Sequence, residues 1–255
     1  MIWTALLLVG FGITDLVFSV LPKPRPERVR LMRHVPEAVG AASAVLLGLL
    51  ADLTSLRDVL LLVVVAVVVL AWGVSVTRGF GGGKAWVALA VFGGGLMLTL
   101  ALSPVDTYAD GLVGEWLDRT PLTVLAGLDA DRALLMLGVM LAQLSTGNVL
   151  VRLVLSATGT VNPARTAGRA FPTYRLKGGR LLGPMERVFI VGLGLAGQLT
   201  AASIVVAAKG LLRWPELQAA RDEDGGPGIH VVTEYFLVGS FVSWMIALGS
   251  LVLLA

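Results

Sequence analysis

Asp15 is the one acidic residue deep within an apolar stretch. A charge at a helix centre in hydrocarbon costs at least about 2.5–3.5 kcal/mol, so this carboxyl must face protein or water and find a partner. Two chemistries are open to it. One is structural: an ion pair, or a carboxyl kept protonated by burial. The other is a proton or cation relay, and the structural reading carries more weight. Polar groups cluster again in Gln143, Ser145, Thr146, Asn148 and Arg152, with Gln198, Thr200 and Ser203 further on. At about 100° per residue, Ser145, Asn148 and Arg152 share one helix face, while Gln143, Thr146 and Gly147 share another. Such side chains serve more often as hydrogen-bonding glue between helices than as a translocation path. Asp15 and Arg152 are each the most isolated charge of their sign, and the expectation is that they pair. Arg175, Lys177, Arg180 and Arg187 suit phosphate headgroups, because arginine matches phosphate bidentately.

Several motifs resemble catalytic ones without their context. Gly192, Gly194 and Gly197 spell G-x-G-x-x-G. A dinucleotide site needs that spacing after a strand, whereas these glycines sit in an apolar span, where small residues let helices approach closely. Gly81-Gly82-Gly83-Lys84 is followed by Ala85, where a phosphate loop needs Ser or Thr; a tight turn with an orienting lysine fits better. Asn162-Pro163-Ala164-Arg165 matches one aquaporin box, but those channels need two, and the residues after it are too polar for a membrane half-helix. The chain has no cysteine and only two histidines. Disulfides and thiolate chemistry are thereby excluded, and no metal site, catalytic set or cofactor is expected.

The elements that must position these residues are hydrophobic helices. Of the 255 residues, 56% are hydrophobic and 15% charged, with mean hydropathy +0.85. Soluble domains carry about 25% charged residues. Apolar runs of about 20 residues match the roughly 30 Å hydrocarbon core. The expected fold is an all-α, polytopic transmembrane helix bundle of seven spans: about Ile2–Leu21, Pro36–Ala51, Val59–Val76, Ala85–Leu102, Ala133–Leu155, Val188–Ala208 and Val232–Ala255. The second is short and rich in Gly and Ala, which leaves six spans as the alternative. Three regions follow: 1–103, four apolar spans; 104–132, an acidic extracytoplasmic loop; 133–255, three spans with a basic cytoplasmic loop.

Charge segregation orients the chain. With the Pro22–Val35 loop in the cytoplasm, alternation puts 14 of the 20 basic residues inside and 13 of the 17 acidic residues outside. This is the positive-inside pattern, with the N-terminus out and the C-terminus in. The isoelectric point near 9.6 is then a matter of orientation and of attraction to anionic lipid, and nucleic acid is not an expected partner. The first span lacks a positive segment before its apolar run, so it is expected to be retained as an anchor. Gly111–Leu117 and Gly210–Ala220 carry tryptophan on an apolar stripe and are expected to lie at the membrane interface, although Pro215 weakens the second.

The C-terminal half resembles a family of uncharacterised bacterial multi-pass membrane proteins, a domain of unknown function. The matching pieces are Thr146-Gly147-Asn148 with Val151-Arg152-Leu153, then Leu176 through Arg187, then Ala207-Ala208-Lys209, Leu212 through Leu217, and Glu234 through Ser240. The resemblance, from about Thr146 onward, covers a little over two-fifths of the chain. The resemblance implies a prokaryotic membrane protein and carries no activity with it.

These observations lead to a multi-pass protein of the cell membrane, surrounded by lipid. It is a non-enzymatic scaffold or subunit, working with protein partners or a second copy of itself. The alternatives are a small transporter or channel with a polar path near Asp15 and the fifth span, and an enzyme acting on a lipid-linked substrate.

Overall fold

The structure, a computed structural model, describes residues 1–21, 34–103, 108–122, 127–160, 179–222 and 228–255. Every regular element among the described residues is helical: α1 Ile2–Val20, α2 Val35–Leu50, α3 Leu56–Phe80, α4 Ala85–Ala101, α5 Gly111–Arg119, α6 Ala130–Leu141, a π-helical segment Ala142–Thr146, α7 Gly147–Ala157, α8 Gly179–Leu195, α9 Leu199–Asp222 and α10 Gly228–Leu254. Among the described residues four stretches are long and apolar enough to cross a membrane: Ile2–Val20, Leu56–Phe80, Ala130–Ala157 and Thr233–Leu254. The chain forms two compact units, Met1–Thr146 and Gly147–Leu253.

In the first unit α1 is the central helix, packed against α2, α3, α4, α6 and the π segment. Its sequence is apolar on every side, the pattern of a helix surrounded by other helices. Trp3, Leu6, Leu7, Val9 and Phe11 are all buried. Small residues set the separations. A Cβ at Gly138 on α6 would lie 2.8 Å from the Ala5 carbonyl oxygen, so only glycine admits so close a helix contact. Phe11, Trp72 and Phe92 close the α1–α3–α4 contact, with ring centroids 5.2–5.6 Å apart, within the favoured range for aromatic pairs.

Local chemistry ends the helices. Asp52, at φ 62°, stands just past the end of α2 in the left-handed region. The Leu53 amide donates to the Gly48 carbonyl and the Asp52 amide to that of Leu49. This is a Schellman stop, sealed by buried Leu53. The Ser55 hydroxyl then accepts from the Asp58 amide and caps α3. Helix α2 has 16 residues and is about 24 Å long at 1.5 Å per residue, shorter than a typical hydrocarbon core. The expected weakness of the second span has this measure.

In the second unit the expected sixth span, Val188–Ala208, is divided. Helix α8 starts earlier, at Gly179, and stops at Leu195; α9 begins at Leu199 and continues unbroken through Pro215. The stop is a second Schellman motif. Gly197 sits at φ +72°, the Gln198 amide reaches the Leu193 carbonyl, and the Gly197 amide reaches Gly194. The G-x-G-x-x-G glycines therefore do three different jobs. Gly192 has open space around it, Gly194 lets Leu251 of α10 approach, and Gly197 turns the chain. Helix α10 exposes Leu237, Phe241, Met245, Leu248 and Val252 along one side.

Candidate functional site

Among the described residues, ionisable side chains are drawn into the interior in both units. In the first, Asp15 is 4% exposed near the end of α1. The Trp72 indole Nε1 donates to its Oδ1 and Oδ2 at 3.3 and 3.2 Å. Within its own unit the partner of Asp15 is thus Trp72, where sequence reasoning named Arg152. The physical reason is the α1–α3 contact: packing the large ring against Phe11 leaves an indole N–H that also needs a partner when buried. The next residue, Gly73, lets Glu37 of α2 pack against α3. Glu37 is 3% exposed and lies 2.6 Å from His34 Nδ1.

The π segment forms the other wall. Its Ser145 hydroxyl lies 2.7 Å from the Gly12 carbonyl oxygen of α1 and 2.8 Å from that of Leu141. The Thr146 hydroxyl is fully buried beside Asp15, and among the described residues none meets it in hydrogen-bond geometry. Gln143 is fully buried as well. A π insertion changes the residues per turn, and such insertions recur at functional sites. It also explains a misreading. A face counted at 100° per residue joins Ser145, Asn148 and Arg152, but the phase slips across the insertion. Ser145 faces α1, Asn148 turns to a different neighbour, and Arg152 is exposed.

That neighbour is Arg187 in the second unit. Sequence reasoning set Arg187 at the membrane surface, among headgroups; it is 1% exposed, because α8 begins well before it. One guanidinium nitrogen donates to Ser243 Oγ at 3.1 Å and another to Asn148 Oδ1 at 3.0 Å. Gly147 makes the room, since a Cβ there would sit 2.5–2.9 Å from the guanidinium. Beside it Glu186 is 6% exposed and accepts from Trp244 Nε1 at 2.7 Å. Helices α7, α8 and α10 are thereby tied together at one level.

Of the other candidates, Gln198 is exposed at the break between α8 and α9. Arg175, Lys177 and the Asn162–Arg165 motif lie outside the described residues, as does the side chain of Arg180. The residues that sequence reasoning passed over are Trp72, Ser243 and Trp244. The available signal was that a tryptophan inside a helix bundle carries an N–H needing an acceptor. Among the described residues no three His, Asp or Glu side chains group as metal ligands. No family model, curated protein or solved structure matches the chain.

Proposed function

We propose that the protein is an integral, multi-pass component of the cell membrane, without enzymatic activity, serving as a scaffold or as one subunit of a membrane assembly. The observation that carries this reading is the way Asp15, Glu186 and Arg187 are held. Each is closed into a packed helix contact, Asp15 by the Trp72 indole, Glu186 by the Trp244 indole and Arg187 by Asn148 and Ser243, an arrangement that fixes helices rather than opening a route between them. The exposed stripe on α10 suits hydrocarbon. Seven crossings, with the N-terminus outside and the C-terminus in the cytoplasm, follow from charge segregation when α8 and the apolar start of α9 count as one. The C-terminal resemblance points to a bacterial setting. Partners on this reading are lipids and other protein subunits, including a second copy of the chain; no cofactor and no nucleic acid enter.

Purification from native membranes in mild detergent, with crosslinking beforehand, tests the proposal. A stable complex or homo-oligomer is the expected product; a lone monomer, crosslinked to nothing, contradicts it. The alternative, a small transporter or channel, draws on one observation: the π segment places the Thr146 hydroxyl against Asp15. Ion or proton flux in proteoliposomes, abolished by Asp15→Asn, replaces the first reading with this one. The reading as an enzyme on a lipid-linked substrate has only the basic residues near Arg175 and Lys177 behind it.

A further inference from the structure

The turn between α3 and α4 holds a feature that the scaffold reading does not use. An open groove of about 480 Å³ runs between these two helices. Its walls are Ala71, Val74 and Ser75 from α3, the Ser75 hydroxyl donating back to the Trp72 carbonyl, and Val87 and Val91 from α4, and its mouth is flanked by Arg78, Gly83 and Lys84. From Ala71 to Arg78, and from Lys84 to Val91, the helices rise about 10 Å. The groove is therefore apolar for the depth of a partial acyl chain and basic at one end only.

The three glycines of the turn explain the convergence of the two cations. The Gly81 and Gly83 amides both return to the Arg78 carbonyl, at 3.1 and 2.9 Å. Gly82 is at φ +97°, and a Cβ at Gly83 would lie 2.7 Å from that same carbonyl oxygen. A bulkier turn would push Lys84 away from Arg78. The N-terminal end of the α4 dipole adds positive potential beside Lys84. Trp86, 58% exposed, marks the depth, since exposed tryptophans on membrane helices gather at headgroup level.

We propose that this groove binds a single anionic phospholipid, its phosphate between Arg78 and Lys84 and one acyl chain along Val74, Ala71, Val87 and Val91. The charge complementarity selects an acidic headgroup, and the apolar walls select a lipid over free phosphate.

The test uses the full chain, delipidated in mild detergent and incubated with vesicles of phosphatidylglycerol or of phosphatidylcholine; retained lipid is counted by native mass spectrometry. Wild type is expected to keep one phosphatidylglycerol and to discriminate against phosphatidylcholine. Arg78→Gln/Lys84→Gln is expected to weaken retention by about 30-fold, the product of two single-charge contributions. Ala71→Leu/Val87→Phe fills the groove, keeps both charges and is expected to lose the lipid as well, with unchanged helical content. Arg119→Gln, an exposed charge on α5, is expected to retain it. Equal retention of the two lipids by wild type overturns the proposal. So does phosphatidylglycerol binding that survives the groove-filling pair, which would make it surface attraction, and so does displacement by millimolar inorganic phosphate.

Discussion

Trp72→Phe tests the joint between α1 and α3. The indole is fully buried and the Asp15 carboxyl nearly so, and the N–H reaches both oxygens at 3.2–3.3 Å. Removing the donor leaves a buried acceptor short of its partner, at a cost of about 1–3 kcal/mol. The smaller ring adds roughly 1 kcal/mol for the space left beside Phe11 and Phe92. The single mutant should therefore lose about 2–4 kcal/mol in a reversible unfolding titration in mixed micelles. Asp15→Leu should lose a comparable amount, because it strands the indole N–H. The double mutant strands neither group and should recover at least about 1 kcal/mol of the summed loss. Asp15→Asn keeps an acceptor oxygen and should be nearly silent. Strictly additive losses in the Trp72–Asp15 cycle would refute the joint.

Gly194→Leu should destabilise the second unit by about 1–3 kcal/mol through overpacking, whereas Gly192→Ala, with open space around it, should be neutral or slightly stabilising in the same unfolding assay. Gly197→Ala should cost about 1–2 kcal/mol, because it forces an L-residue into the left-handed region. Gly147→Ala and Arg187→Gln should each lower the monodisperse fraction on size-exclusion chromatography, since one crowds the guanidinium and the other leaves Asn148 and Ser243 without their donor. The chain contains no cysteine, so single cysteines report topology cleanly. In sealed, right-side-out vesicles an impermeant maleimide should label Asp118→Cys, and should label Lys84→Cys only after permeabilisation; the reverse pattern would invert the proposed orientation.

Apolar run length made α1 and α4 legible in the sequence to within a residue, and α3 and α10 to within about four, because burying or exposing long apolar faces dominates their energetics. Helix α2 was legible as the short one. The division of the sixth span was not. Hydropathy reads straight through Gly192–Gly197, and only the backbone preference of Gly197 separates a packing glycine from a helix stop. The inward turn of Arg187 was missed for a related reason. Charge marks a membrane boundary only when the residue is free to reach water, and Gly147 gives this one room inside. The π segment hid the rest. One inserted residue rotates everything after it, so Asn148 and Arg152 left the face that a uniform period had assigned to them. Asp15 was legible as the buried acid, but its partner required knowing which helix packs beside α1.

The most direct measurement is the water accessibility of Thr146→Cys, a small change at the residue lying against Asp15. A packed joint predicts that this cysteine stays unreactive toward a small water-soluble thiol reagent in intact membranes, from both sides, while Asp118→Cys in the same preparation reacts to completion. Labelling of Thr146→Cys from either side would put water against Asp15, contradict the scaffold reading and turn the π segment into the wall of a path.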